Sequence, residues 1–266
     1  ITMNGYYRLI ASMSSSSGGG NDPSAQDFIT AASITDGTQQ NAINQLVLDL
    51  KSYSIWDKMY AIYPMLGGNA ASHSYNLIDT TLFQLSFFGG WVHTSTGALP
   101  NGTNAFANTG WFQNNFPETD SNSTIGFYSG TSTDGNVDMG GFTSGAYILR
   151  SRYLNLFGAY NQGTSTYSTV ANIDGSGLYS ISRVVSTKIA MYKNGVLVSN
   201  PNNNSTSGFV FSQLQLSAYS TTSTPSVIFG SKEHRLSFIA QGLTDTENAN
   251  LYTAIQAYQT TLSRNL

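Results

Sequence analysis

Met191-Tyr192-Lys193-Asn194-Gly195-Val196-Leu197 decides how this chain is read. Two short apolar runs flank an Asn-Gly pair, and these two residue types reach the left-handed conformations of a type I′ turn, whose twist matches that of paired strands. The stretch predicts a β-hairpin. From about Met59 the same texture extends along the chain. The runs Leu82 to Phe88, Ala146 to Arg150, Gly177 to Arg183, Lys188 to Lys193, Val196 to Ser199 and Leu214 to Ala218 are separated by Gly, Asn, Ser and Pro clusters. Their apolar period falls toward two, the spacing at which alternate side chains meet one face of a sheet. Many short strands of this kind predict a mainly β fold, a two-sheet antiparallel sandwich.

Helical spacing is confined to the two ends. Ser24 stands three residues before Asp27 and precedes Phe28, Ile29 and Ala32, which predicts a short capped helix. Asp36 with Gln39 resembles a capping box, and Ile43, Leu46, Val47 and Leu50 follow on one helical face. Near the other end, Thr244 and Glu247 offer reciprocal capping to a stripe of Leu251, Ile255, Tyr258 and Leu262. That stripe must bury against something, and the flank of the sandwich near the N-terminal helices is the expected place. Residues Ser14 to Asn21 read SSSSGGGN, the composition of a flexible coil. The expected organisation is therefore a leader and linker over 1–21, with Tyr6, Tyr7, Leu9 and Ile10 able to form a docking strand, and one helix-flanked sandwich domain over 22–266.

Composition narrows the function. Charged residues make up 9% of the 266 residues, well below the roughly 25% of an average soluble domain. Ser, Thr, Asn, Gln and Gly take their place, giving a hydrated, uncharged surface suited to an extracellular or particle-exposed protein. A net charge of -3 with scattered Lys and Arg lacks the basic stripe of a nucleic-acid binder. No apolar run approaches the roughly 20 residues of a membrane-spanning helix. Without cysteine there are no disulfides and no thiolate metal sites, and His73, His93 and His234 are the only imidazoles.

Catalytic constellations are weak. A glycan-cleaving enzyme on a sandwich needs two carboxylates about 5 to 10 Å apart. Glu118 and Asp120 are near neighbours in sequence, but they sit in a loop-like stretch beside Pro117. Asp134, Asn136 and Asp138 alternate and could offer oxygen ligands to Ca²⁺, yet the twelfth position counted from Asp134 is Gly145 where a calcium loop carries Glu. No G-x-S-x-G elbow accompanies the histidines, each of which reads as a hydrogen-bonded structural residue. The expectation is no enzyme, no metal and no other cofactor. Sugar binding requires less: aromatic rings stack on pyranose faces while amides and carboxylates bind hydroxyls. Trp111, Tyr128, Asn136 and Asp138 lie in Gly- and Asn-rich, loop-like stretches and are the candidate ligand-binding residues, whereas Trp56 and Trp91 sit among apolar neighbours and read as core.

One resemblance bears on this reading. Leu48-Asp49-Leu50-Lys51, Trp56, Lys58, Ala61-Ile62-Tyr63-Pro64, Gly67-Gly68, Ala70, His73, Asn76-Leu77 and Asp79 resemble a recurrent segment of phage virion proteins with a concanavalin A-like, laminin-G-like jelly roll. Gly89-Gly90-Trp91, His93, Gly97, Asn101-Gly102-Thr103-Asn104 and Ala107-Asn108-Thr109 continue it. Gly242-Leu243-Thr244-Asp245, Glu247, Leu251-Tyr252, Gln256, Gln259-Thr260, Leu262 and Arg264 are similar too. The likeness runs from about Asp22 to Arg264, is least recognisable from Trp111 to Asn172, and carries structural anchors rather than functional residues. It implies a two-sheet jelly-roll sandwich on a virion surface, in a tail or head appendage. The sequence-based expectation is thus a lectin-like attachment or structural module. Its partners would be host surface glycans or other virion proteins, and it would form a homo-oligomer or array. A glycan-cleaving enzyme on the same fold and a bacterial cell-surface adhesin are the alternatives.

Overall fold

A computed structural model describes residues 20–112, 122–142, 146–163, 167–202, 213–219 and 228–266. Of the expected leader and linker over 1–21, residues 1–19 lie outside them. In chain order come helices α1 (Pro23–Ala31) and α2 (Gly37–Ser52), strand β1 (Met59–Tyr63) and the one-turn helix α3 (Ala70–His73). Strands β2 (Ser86–Phe88), β3 (Trp91–His93), β4 (Ala98–Pro100), β5 (Phe106–Asn108), β6 (Ser123–Ser129), β7 (Met139–Phe142), β8 (Ala146–Tyr153) and β9 (Leu156–Gly163) follow. Then come β10 (Ser168–Ala171), β11 (Gly177–Arg183), β12 (Ala190–Lys193), β13 (Val196–Ser199), β14 (Gln215–Leu216), β15 (Ala218–Tyr219), β16 (Ile228–Phe229), β17 (His234–Ala240) and helix α4 (Asp245–Thr261).

The strands form two antiparallel sheets stacked as a jelly-roll-like sandwich. The first, of eight strands, runs β13-β12-β11-β6-β17-β4-β3, with β1 sharing with β4 the second edge of β17. The second, of seven strands, runs β10-β9-β8-β7-β14-β5-β2. A small β15–β16 ladder lies beside the second sheet. Turn chemistry follows the sequence. Asn194 and Gly195 take φ of 50° and 74°, the two left-handed conformations expected of the β12–β13 hairpin. Gly177–Arg183 and Val196–Ser199 are strands over the predicted spans, whereas Leu82 to Phe88 yields only β2, and Leu214 to Ala218 is broken at Ser217, whose φ is 59°.

Helix capping differs from expectation in two places. Asp22, not Ser24, caps α1: its carboxylate accepts from the Ser24 N–H at 2.9 Å, and Pro23 fills the first helical turn, where a missing N–H costs nothing. Asp36 caps α2 through the Gln39 N–H at 2.8 Å, but the Gln39 side chain does not close the box, because its oxygen accepts from the Gly67 N–H at 2.9 Å instead. The reciprocal Thr244–Glu247 box of α4 forms as predicted.

Two cores result, one on each face of the first sheet. Every residue of β6 is buried, and its side chains alternate between the two. Ile125 and Phe127 point at the second sheet and pack with Met139, Leu149, Phe157 and Ile181. Tyr128 points the other way, toward the α2 and α4 stripes of Leu46, Leu50, Leu251, Ile255 and Tyr258. Burying each large side chain contributes roughly 1.5–3 kcal/mol, so losing either core would unfold the domain. Among the described residues no helix is long and apolar enough to cross a membrane.

Arg264, just past α4, is 3% exposed and meets no carboxylate within hydrogen-bond reach among the described residues. Carbonyls receive its guanidinium instead: Met65 at 3.0 Å, Thr96 at 3.2 Å, Arg235 at 3.2 Å, Pro64 at 3.4 Å and Ser95 at 3.4 Å. Its Nε donates to the side-chain oxygen of Gln259 at 3.0 Å. Arg235 donates in return to the Arg264 carbonyl. This latch ties the end of α4 to the turn after β1, the β3–β4 turn and β17.

Candidate functional site

The four residues expected to bind a ligand do not share a place. Trp111 is buried between the sheets, stacked on Tyr60 at 4.7 Å and against Phe83 at 4.5 Å. Tyr128 lies in strand β6 rather than in a loop. Its hydroxyl donates to Gln256 and accepts from the Leu266 N–H, both at 3.1 Å, and burial pushes its pKa up. Asp138 is 1% exposed and bonds the fully buried Lys232 ammonium at 3.2 Å, while its other oxygen accepts from the Ser151 N–H. Asn136 is half-buried in the turn before β7. Trp111, Tyr128 and Asp138 thus lack the open face that stacking or hydroxyl binding needs. Of the two residues read as core, Trp56 is buried and Trp91 half-buried, its indole N–H donating to the Phe106 carbonyl at 3.1 Å.

Glu118 and Asp120 lie outside the described residues. Two of the oxygen donors considered for calcium already have cations of the chain's own: Asp134 pairs with Arg152 at 3.0 Å and Asp138 with Lys232. Among the described residues no three His, Asp or Glu side chains gather as a metal site.

The histidines have partners that sequence spacing did not reveal. His73, at the end of α3, and His93, in β3, meet Nδ1 to Nδ1 at 2.9 Å, so one ring supplies the hydrogen and the other accepts it. His234 bridges two segments, Nε2 to Ser217 Oγ at 2.8 Å and Nδ1 to Ser237 Oγ at 2.9 Å. Burial, reinforced by the His93 and Arg264 charges, pulls the His73 pKa down to about 3. Burial and the Lys232 ammonium do the same to His234, also to about 3. Both rings are neutral when folded and protonate near pH 6.5 when unfolded. Below pH 6.5 the unfolded chain therefore binds more protons, and stability falls as pH drops toward 3, by up to about 1.4 kcal/mol per pH unit for each ring. Urea unfolding at pH 7 and pH 5 is expected to show this loss, and His234→Gln to reduce it. Equal pH dependence in the two proteins would refute the assignment to His234.

A face suited to contact does exist, on the side of the second sheet turned away from the first. Alternation builds it. In β2 and β5, Phe87 and Ala107 point into the core, so Ser86, Phe88, Phe106 and Asn108 point outward. Phe88, 46% exposed, stacks on Phe106 with centroids 4.9 Å apart and planes 13° apart, and Phe106 approaches Phe229 of β16 at 6.4 Å. Beside the rings runs a polar row: Ser86 faces Asn108 across the ladder, and the Gln215 amide donates to Asn108 at 2.8 Å.

Farther along the same face, in β8, Tyr147 and Leu149 point inward, so Ile148 and Arg150 point out. Arg150 is surrounded by rings: Tyr153 at 5.0 Å, Tyr167 at 5.4 Å and Tyr219 of β15 at 6.0 Å. Glycines make room for two of them. A Cβ at Gly158 would collide with the Tyr167 hydroxyl, and one at Gly140 would lie 2.7 Å from Tyr219 Cβ. The β15–β16 ladder, carrying Tyr219 and Phe229, joins the two aromatic clusters. Sequence reasoning missed this face, although the outward positions of Ser86-Phe87-Phe88 and Tyr147-Ile148-Leu149-Arg150 follow from the same alternation that predicted the strands.

No protein-family model matches the chain, and no curated protein matches it. Solved structures do. The binding domain of botulinum neurotoxin serotype D is similar at TM-score 0.51 and 10% identity, over 75% of this chain and 52% of that one. A structure of botulinum neurotoxin type C, whose cell entry depends on interaction with two ganglioside molecules, matches at TM-score 0.52 and 11% identity, over 77% and 53%. Domain 4 of the extracellular arabinanase AbnA from Geobacillus stearothermophilus, in complex with arabinotriose, matches at TM-score 0.50 and 12% identity, over 73% of this chain and 98% of that domain. The chain spans about half the length of the botulinum chains it matches. At such identities the likeness shows the β-sandwich fold alone.

Proposed function

We propose that this chain is a non-catalytic glycan-binding module, and that saccharides lie on the outer face of its second sheet. The observation that carries the reading is the outward stack of Phe88 and Phe106 beside Ser86 and Asn108, with the buried Gln215 amide fixing Asn108 from behind. Flat apolar rings next to an amide and a hydroxyl suit the apolar faces and hydroxyl edges of a sugar. The fold shared with the arabinotriose-bound domain and the ganglioside-dependent toxin supports it. The low charge and the sequence resemblance favour a virion surface, with other virion proteins and further copies of the chain as neighbours and host glycans as the target.

A glycan array followed by titration calorimetry tests the reading. The chain is expected to bind a defined glycan set, and Phe88→Ala with Phe106→Ala to weaken the best of them roughly tenfold, about 1.4 kcal/mol. A blank array, or affinity unchanged by both substitutions in a folded protein, would sink it.

A further inference from the structure

We infer that Arg150 reserves one end of this face for an oxyanion, so that the saccharide bound there is an acidic one, carrying a carboxylate or a sulfate. The inference rests on the glycan-binding reading and goes further by naming the substrate class.

Most other cations among the described residues already have partners. Lys51, Lys58, Arg152, Lys193, Lys232 and Arg235 each pair with a carboxylate. Arg264 is held by carbonyls. Arg183 donates to the Ser186 carbonyl at 3.0 Å, and Lys188 lies exposed to water. Arg150 is different. Its guanidinium lies over three tyrosine rings, and its Nε is buried with no acceptor among the described residues. Ring faces attract the positive charge, but a guanidinium carries five N–H donors around its edge, which the rings do not satisfy. A buried donor without an acceptor costs about 1–3 kcal/mol, so such a group in a folded protein calls for a reason.

The Nη groups, which are not buried and make no hydrogen bond among the described residues, are the part of the guanidinium an incoming acceptor can reach. Carboxylates and sulfates match the planar fork of arginine, and charge-assisted bonds of this kind are about twice as strong as neutral ones. The rings meanwhile hold the guanidinium in place, which lowers the entropy lost on binding. One cation at this spot, on a chain of net charge -3, fits one anionic substituent rather than a phosphate backbone, which needs several cations in a row. Continuity through the β15–β16 ladder puts the anion end and the phenylalanine stack on one surface.

The test is an array of matched pairs, probed with the full chain: hexuronic and sialic acid glycans beside their methyl esters, sulfated glycans beside their desulfated forms, and a single-stranded oligonucleotide. Acidic members are expected to bind at least about tenfold more tightly than their neutral partners. In calorimetry that difference should vanish in Arg150→Gln, be partly kept in Arg150→Lys, and shrink with added salt. The carboxylate and sulfate arms identify which anion is taken. Equal binding within pairs, preference for the oligonucleotide, or an acidic preference that survives Arg150→Gln overturns the inference and leaves neutral-glycan binding standing. An array blank in every arm overturns the glycan reading with it. The matched pairs read out on the unaltered protein, so the inference stays falsifiable even if the variants fail to fold.

Discussion

Arg264→Ala is expected to destabilise the protein by about 4 kcal/mol or more. The guanidinium is the shared donor for carbonyls of three separate segments: Met65 after β1, Thr96 between β3 and β4, and Arg235 in β17. Truncation leaves these buried acceptors without their donor, each at a cost of about 1–3 kcal/mol. It also removes the cation that lies 5.4 Å from the Tyr258 ring. Tyr258 retains its own bond to the Pro64 carbonyl at 2.8 Å, so the helix keeps one anchor. Lysine retains the charge but not the planar fork, and Arg264→Lys is expected to fall between the wild type and Ala. Urea unfolding followed by tryptophan fluorescence measures all three. A loss below about 1 kcal/mol for Ala would mean that water replaces the guanidinium and that the latch contributes little.

The buried Asp138–Lys232 pair gives the second large effect, with a distinctive pattern. Removing either partner alone, in Asp138→Asn or Lys232→Met, strands the other inside the protein and is expected to cost about 3–5 kcal/mol. Asparagine retains an acceptor for the Ser151 N–H, so the first substitution isolates the loss of charge. In the double variant no stranded charge remains. Its cost is expected to be well below the sum of the single ones, with a coupling of about 2 kcal/mol or more. Additive costs would show that the two charges do not depend on each other.

How far the sequence could be read follows from how local each feature is. The Asn194-Gly195 turn, the Thr244–Glu247 box and the Leu251, Ile255, Tyr258 stripe depend on residues a few positions apart, and the structure realises all of them. Period-two runs revealed the sandwich for the same reason. The candidate binding residues failed to converge because a Gly- and Asn-rich neighbourhood reports a turn nearby, not which way a side chain points. Trp111 and Asp138 turn inward from such stretches and are buried. The Arg150 cage draws Tyr153, Tyr167 and Tyr219 from different strands and connections, and the His73–His93 contact joins a helix to a strand. Such meetings are set by topology, which no spacing rule displays.

The position of β17 has a consequence for synthesis. This strand fills the middle of the eight-stranded sheet, between β6 and β1, yet it is the last strand in chain order among those described. While a ribosome is still translating upstream of His234, β1 and β6 have no neighbour to bridge them and offer open backbone edges to other nascent chains. Assembly must wait for partners far apart along the polypeptide, which puts maturation in the slow, contact-order-limited regime of milliseconds to seconds or longer. Messages cut short before this point would yield sticky fragments, and chaperone demand during production should track the arrival of that one segment.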